Sequence, residues 1–312
     1  MNTELIKQFQ ILQAYYKQEN DRGRTSAYSK AIIALKSYGK PINNIKQISA
    51  IKQVGPKMIS KIDEFLRTGH IKAVEEIKPK IKPIQLSPMN TVLKLFQTVH
   101  GIGPKKAKIL YDQGLRTIED LQKNKHLLIS SSRIALKYHQ QLQKRVARDN
   151  ITVFYIILLA VMNQTYGYGS YRLDIAGSYR RGAEDSGDVD CLVSTNKFTL
   201  VQLVQTLKKY KLIADVLDMR KEKFLGIGQC PSGNLKFRFD IEFVPENEFG
   251  SALLYFTGSK DFNRALRYQA KLLGLLLNEH GLFKNGVKVL SAPTEKDIFQ
   301  YLGKDYIEPR NR

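Results

Sequence analysis

Several things are scarce in this 312-residue chain, and each shortage excludes something. Only two cysteines occur, Cys191 and Cys230, with no CxxC pairing, so a disulfide framework and a cysteine-built zinc site are not expected. The five histidines are scattered, and none stands in an HExxH or similar ligand pair. No apolar run is long: the greasiest, ITVFYIILLAVM at 151–162, falls short of a bilayer's width and reads as a buried helix. The opening residues, MNTELIKQFQ, lack the pattern of a secretory leader. The expectation is a soluble, intracellular, monomeric protein without a membrane partner. Nothing in it separates a nuclear from a viral or host-cytoplasmic setting.

Acidic residues are also few. Asp and Glu number 29 against 50 Lys and Arg, a formal charge of +21, and the isoelectric point is near 9.8. With 43% apolar and 10% aromatic residues the chain is globular, not a disordered basic tail. A globular protein this basic points to a polyanion, since nucleic acid binds such surfaces by releasing counterions. Against that background GSYRRGAEDSGDVD, residues 177–190, is unexpected. It places Glu184, Asp185, Asp188 and Asp190 directly after two arginines and among glycines.

The first half of the chain carries helical spacing. Leu5, Ile6, Phe9, Leu12, Tyr15 and Tyr16 recur as on one helix, and SAYSKAIIALKSYGKP ends at Gly39 and Pro41 as a helix should. The block from Ile48 to Ile77 reads as a short hairpin followed by an amphipathic helix, and KPKIKPIQLSP, about 78–88, as a linker. IKQVGPKMISKI at 51–62 resembles VHGIGPKKAKIL at 99–110. Both suggest helix-hairpin-helix turns, whose backbone N–H groups at a helix start can hold a phosphate whatever the base sequence. The second turn keeps two glycines, Gly101 and Gly103, whereas the first has Gln53 ahead of Gly55.

Beyond residue 150 short β-like runs appear among helices, an α+β pattern. In a strand, residues two apart share a face. Asp188 and Asp190 therefore project together while Val189 and Cys191 face the core. In FRFDIEF, Phe237, Phe239, Ile241 and Phe243 form the apolar face, and Arg238, Asp240 and Glu242 the other. If the two strands are neighbours, three aspartates meet, a donor set of hard oxygens suited to two Mg²⁺ ions shared with a substrate's phosphates. Gly177-Ser178 offers a tight turn with hydroxyl and amide donors, and Arg181 a forked cation. Acids for metals and a turn plus arginine for a triphosphate describe nucleotidyl transfer. Glu184 and Asp185, in the intervening loop, read as solvated. GIGQC is not a dinucleotide fingerprint, because no second glycine pair follows into a helix.

GSYRRGAEDSGDVD, FRFDIEFVP, YFTGSKDFNRALR and EKDIFQYLGKDYIEP together resemble the family X DNA polymerases, the group of DNA polymerase beta, from about residue 25 to the end. The resemblance implies that Asp188 and Asp190 bind both metals and Asp240 the one beside the primer 3′-hydroxyl. Mn²⁺ is a possible substitute for Mg²⁺, and a monovalent cation is possible at the hairpin turns. It implies that Ser178, Arg181, Gly187 and Arg145 contact the triphosphate. Tyr255, Phe256 and Gly258 would line the sugar pocket, and Asn263 and Arg267 would watch the nascent base pair. Three positions depart from the pattern, with Lys260 where Asp is usual, Glu242 where Arg is usual and His280 where Tyr is usual. The loop between FLGIGQC and FRFDIEF is short.

The N-terminal block resembles the deoxyribose-phosphate lyase domain of the same family. Its Schiff-base lysine falls on Lys61, with Lys57 one helical turn earlier on the same face. Arg24, Tyr28 and Lys30 would complete a phosphate pocket. Gly55, Lys57, Gly101, Gly103, Lys105 and Arg238 would also touch DNA. The fold class is α+β in four parts: a helical lyase domain (1–86), a helical hairpin subdomain (87–148), a palm with mixed sheet (149–250) and a nucleotide-selecting subdomain (251–312). The implied function is template-directed gap filling in base-excision repair, on gapped or nicked duplex DNA and deoxynucleoside triphosphates, with lyase activity. A template-independent transferase or other nucleotidyltransferase, and a non-catalytic DNA-end scaffold, are the alternatives.

Overall fold

The computed structural model describes residues 2–38, 41–49, 54–80, 88–230, 233 and 235–312. Gln53, the centre of the expected linker (81–87), and Pro231, Ser232 and Asn234 of the short loop lie outside the described residues. The chain divides into two units, residues 1–85 with 260–277, and residues 86–259 with 278–312.

The first unit is helical. Thr3–Gln18 buries Leu5, Phe9 and Leu12 on one stripe against Arg22–Ser37, which contributes Ala31 and Leu35. The amphipathic segment expected after the first hairpin is two helices, Pro56–Thr68 and Lys72–Ile77. Gly69, at φ 77°, stops the first in the left-handed region. Gln8, itself buried, satisfies the break: it donates to the Gly69 carbonyl at 3.3 Å and accepts from the Ile71 amide at 2.7 Å. Helix Lys260–Leu272 packs on Arg22–Ser37, with an ion pair from Lys36 to Asp261 and Tyr268 against the core.

The second unit opens with short helices Pro88–Phe96, Pro104–Asp112, Ile118–Lys123 and Ser130–Lys137 around Phe96, Leu110, Leu121 and Leu136. Up to residue 243 the strands among the described residues are β1 (Val146–Ala147), β2 (Arg172–Ile175), β3 (Asp185–Ser186), β4 (Asp188–Ser194), β5 (Ile213–Met219), β6 (Lys223–Gln229) and β7 (Lys236–Phe243). Five form a sheet in the order β2-β4-β7-β6-β5, in which only β4 and β7 run parallel. β1 and β3 make a separate two-stranded ladder. Helix Arg148–Tyr166 covers one face of the large sheet, where Phe154 meets Phe237 and Phe239 edge-on at 5.0 Å each.

That helix contains the run read as buried, and the reading is corrected here. Ile151, Phe154, Leu158, Val161 and Met162 are buried, but Val153 and Ile156 are 40% and 60% exposed. A sheet covers a helix on one side only. Among the described residues no helix is long and apolar enough to cross a membrane. On the other face of the sheet, helix Phe249–Thr257 packs Phe249, Ala252 and Leu253 onto Ala176 and Leu192.

Candidate active site

The site begins with register. β4 and β7 pair in parallel with Asp190 opposite Asp240 and Asp188 opposite Arg238. Val189, Cys191, Phe239 and Ile241 are drawn into the core, so the alternation of the strands sends Asp188, Asp190, Arg238 and Asp240 to the opposite face. On β6, Lys223 lies opposite Glu242 and joins it in an ion pair at 3.0 Å.

The electrostatics follow from crowding like charges at a poorly solvated place. Burial, and after it the Asp188 and Asp240 carboxylates, push the Asp190 carboxyl up to about 7, against the opposing pull of Arg238 and Lys223. Asp240 is also raised, first by burial, although the Arg238 charge and hydrogen bond pull it down. One Arg238 nitrogen donates to both Asp240 oxygens, at 3.1 and 2.7 Å. As the side chains stand, no three carboxylate, imidazole or thiol groups among the described residues converge on one metal position. The donor chemistry still fits a divalent cation: three hard carboxylates from two paired strands, with repulsion that added positive charge relieves.

The Gly177-Ser178 turn sits against this cluster. The Ala176 amide donates to the Asp190 carbonyl at 2.8 Å. Gly177 has φ +60°, and a Cβ there would lie 2.7 Å from Asp190 Oδ2, so both conformation and space require glycine. The Ser178 hydroxyl donates to Ser186 Oγ at 2.8 Å. Arg181 donates to the Thr257 carbonyl, which ties the turn to the segment carrying Tyr255, Phe256 and the buried Gly258. Arg180 donates to Thr257 Oγ1 at 2.9 Å and to both oxygens of Glu295 at 3.0 and 2.8 Å. Arg312 reaches the same carboxylate at 2.6 and 3.2 Å. Sequence reasoning missed Thr257 and Glu295. The only local sign was the T-x-x-D capping box of Thr294 and Asp297, which marks a helix start but not a buried charge.

Arg145, expected on a triphosphate, is held by Asp185 through Nε and Nη2. Asp185 is therefore not merely solvated, which corrects the expectation for that side chain. Its neighbour Glu184 is exposed, and its carbonyl accepts from the Arg148 amide at 2.8 Å. Of the departures noted in the sequence, Glu242 has Lys223 as partner, and His280 Nδ1 lies 2.9 Å from Glu248.

Both hairpins place glycine at a helix cap with proline next: Gly55 before Pro56–Thr68 and Gly103 before Pro104–Asp112. Gly101 has φ +83°, and a Cβ there would stand 2.5 Å from Ser132 Oγ. Between the second turn and β7 lies a cavity of about 510 Å³, lined by His100, Gly101, Gly103, His139 and Arg238 among others. The Arg238 Nε is buried and finds no hydrogen-bond partner among the described residues. Burial, and then the Arg238 charge, lower the His100 pKa. Lys105 is exposed on the helix after the turn.

In the first unit Lys61 is half-buried on helix Pro56–Thr68, with Lys57 exposed on the same helix. Tyr28 is not on the surface: it is 3% exposed, stacked on Tyr16 at 5.6 Å and edge-on to Phe9. Burial pushes its hydroxyl up to about 12. Arg24 pairs with Asp21 at 2.9 Å and lies over the Tyr16 ring, and Lys30 is exposed. Asn263 and Arg267 stand on helix Lys260–Leu272 of the same unit.

Four family models match the chain in succession. They are a helix-hairpin-helix domain at residues 1–71, the fingers domain of DNA polymerase lambda at 94–143, the DNA polymerase beta palm at 145–246 and the DNA polymerase beta thumb at 252–312. Among curated relatives, DNA polymerase lambda of Rattus norvegicus is 33% identical over 333 residues, covering 100% of this chain and 56% of that protein. DNA polymerase lambda of Arabidopsis thaliana is 28% identical over 338 residues, covering 100% of this chain and 62% of that protein. The chain thus spans less than two thirds of either relative's length.

Proposed function

Because the chain belongs to family X of the DNA polymerases, close to the beta and lambda enzymes, we propose that it fills short gaps in duplex DNA by template-directed nucleotidyl transfer during base-excision repair. Polymerases of this family are generally metal-dependent. The observation that carries the reading is the parallel register of β4 and β7, which sets Asp190 opposite Asp240 beside the Gly177 turn.

Asp188, Asp190 and Asp240 would hold two Mg²⁺ ions, for which Mn²⁺ could substitute. When bound, the ions supply Lewis acidity that lowers the pKa of the primer 3′-hydroxyl and neutralises the leaving pyrophosphate. The chain's own residues bind and orient. Ser178, Arg181, Gly187 and Arg145 receive the triphosphate through hydroxyl, amide and guanidinium donors. Tyr255, Phe256 and Gly258 line the sugar, and Asn263 and Arg267 read the nascent base pair. Arg238, which lines the cavity beside the second hairpin, takes a backbone phosphate leading to Asp240, together with Gly101, Gly103 and Lys105. A monovalent cation can sit at the hairpin turns.

We assign the parts as 1–86, 87–148, 149–250 and 251–312. The first would act as a 5′-deoxyribose-phosphate lyase, with Lys61 as nucleophile and Arg24, Lys30, Gly55 and Lys57 on the DNA side. Tyr28 would serve as the packed wall of that domain.

Extension of a primer across a one-nucleotide gap in Mg²⁺ tests the polymerase. The wild type incorporates the templated nucleotide, and Asp240→Ala lowers the rate by about a thousandfold or more. Equal incorporation without a template would reassign the chain as a terminal transferase, and tight DNA binding with no turnover would make it a scaffold. Borohydride trapping on an incised abasic site tests the lyase: an adduct forms with the wild type and not with Lys61→Ala.

A further inference from the structure

We infer that Asp185 is a positioning residue for nucleotide binding, one that aims the Arg145 guanidinium at the triphosphate. The inference deepens the reading above, in which Arg145 is a triphosphate contact.

The contact is two-pronged. Arg145 Nε donates to the Asp185 carboxylate at 2.7 Å, and Nη2 donates to the Asp185 backbone carbonyl at 2.9 Å. A guanidinium carries five N–H donors in a rigid plane. Asp185 engages the edge formed by Nε and Nη2, so the edge formed by Nη1 and the second Nη2 hydrogen points away from it. That outer edge is a second fork, shaped for two phosphate oxygens. Nη1 lies 3.7 Å from where a Cβ on Gly187 would stand, beside the turn that precedes Asp188.

The backbone holds this arrangement. β1 and β3 pair Val146 with Ser186 and Ala147 with Asp185, and the Arg148 amide continues the ladder to the Glu184 carbonyl at 2.8 Å. Ser186 is buried and receives the Ser178 hydroxyl. The segment that carries Asp185 is therefore fastened to the Gly177-Ser178 turn on one side and to the strand just after Arg145 on the other. Both partners of the pair are about half exposed, at 55% and 49%. A single ion pair so exposed adds little to folding stability. What it fixes is the direction of a long, flexible side chain that would otherwise sample many rotamers before meeting a phosphate.

The test is steady-state filling of a one-nucleotide gap by the wild type, Asp185→Ala, Asp185→Asn, Arg145→Ala and the double variant Arg145→Ala with Asp185→Ala. Asp185→Ala should raise the KM for the nucleotide about five- to tenfold, the loss of one hydrogen bond to a charged group, and leave kcat within about twofold. Asp185→Asn should recover most of the loss, because an amide oxygen still accepts from Nε. On Arg145→Ala, removal of Asp185 should add nothing, and the melting temperature of Asp185→Ala should match the wild type. An unchanged or lowered KM in Asp185→Ala would overturn the inference, the latter by making Asp185 a competitor of the triphosphate. A penalty fully additive with Arg145→Ala would overturn it as well. If the wild type does not turn over, the polymerase reading fails by itself. Equilibrium binding of a fluorescent nucleoside triphosphate to the same proteins then decides the inference, and equal affinities for wild type and Asp185→Ala would sink it.

Discussion

Arg180 and Glu295 are 115 residues apart in sequence and meet as a fork on a fork, with Nη1 3.0 Å from Oε1 and Nη2 2.8 Å from Oε2. The pair joins the last residue of the short helix Gly177–Arg180 to the first residue of helix Glu295–Tyr301. Arg312 and the Tyr306 hydroxyl complete the shell around the carboxylate. A charge this deeply buried is held only because its lone pairs are satisfied.

This network has a pH signature. Burial favours protonation of Glu295, but the hydrogen bonds and charges of Arg312 and Arg180 outweigh it, and the carboxyl is held below its ordinary value of 4.5. A depressed folded-state pKa contributes stability that is full above the unfolded value and lost as pH falls through the folded one. Glu295→Gln should lower stability at neutral pH by about 3 kcal/mol. It should also flatten the acid limb of stability below pH 4.5. Urea unfolding of both proteins across pH 3 to 7 measures it, and parallel curves would refute the linkage.

Gly177 gives a second expectation. A Cβ at φ +60° is strained and would lie 2.7 Å from Asp190 Oδ2. Gly177→Ala should cost about 1–2 kcal/mol of stability and far more in turnover, because the displaced group is a carboxylate of the proposed reacting site. Thermal melting beside gap filling separates the two effects. A loss of rate no larger than the loss of folded protein would count against the placement.

Lys105 supplies a third. It is exposed just past the second hairpin turn, where a phosphate contact of the proposed interface would be sequence-blind. Lys105→Ala should weaken binding to gapped DNA alike for all sequences and reduce the slope of log affinity against log salt by about one. A salt titration by fluorescence anisotropy reads the slope directly. An unaltered slope would remove Lys105 from the interface.

Local pattern carried much of the architecture. Alternation alone assigned Val189 and Cys191 to the core and Asp188 and Asp190 to the other face, since a strand's side chains must alternate whatever it pairs with. The Gly-Pro steps at 55–56 and 103–104 marked two helix starts, because proline's fixed φ and missing N–H suit the first turn. Apolar content misjudged helix Arg148–Tyr166, where exposed Val153 and Ile156 look in sequence like their buried neighbours. It also could not see the break at Gly69, which depends on Gln8 reaching across from another helix.

Chain order by itself determined which residues were chemically equipped: three aspartates on strand faces, a glycine turn, a fork of arginines. Only the tertiary structure decided that β4 and β7 pair in parallel with Asp190 opposite Asp240. It alone brought Arg145 to Asp185 across 40 residues, and Arg180 to Glu295 across 115. Side-chain period is a property of a few consecutive φ and ψ angles and can be read from a short stretch. Pairing register and buried ion pairs depend on which distant surfaces exclude water together, and no short stretch of sequence contains that.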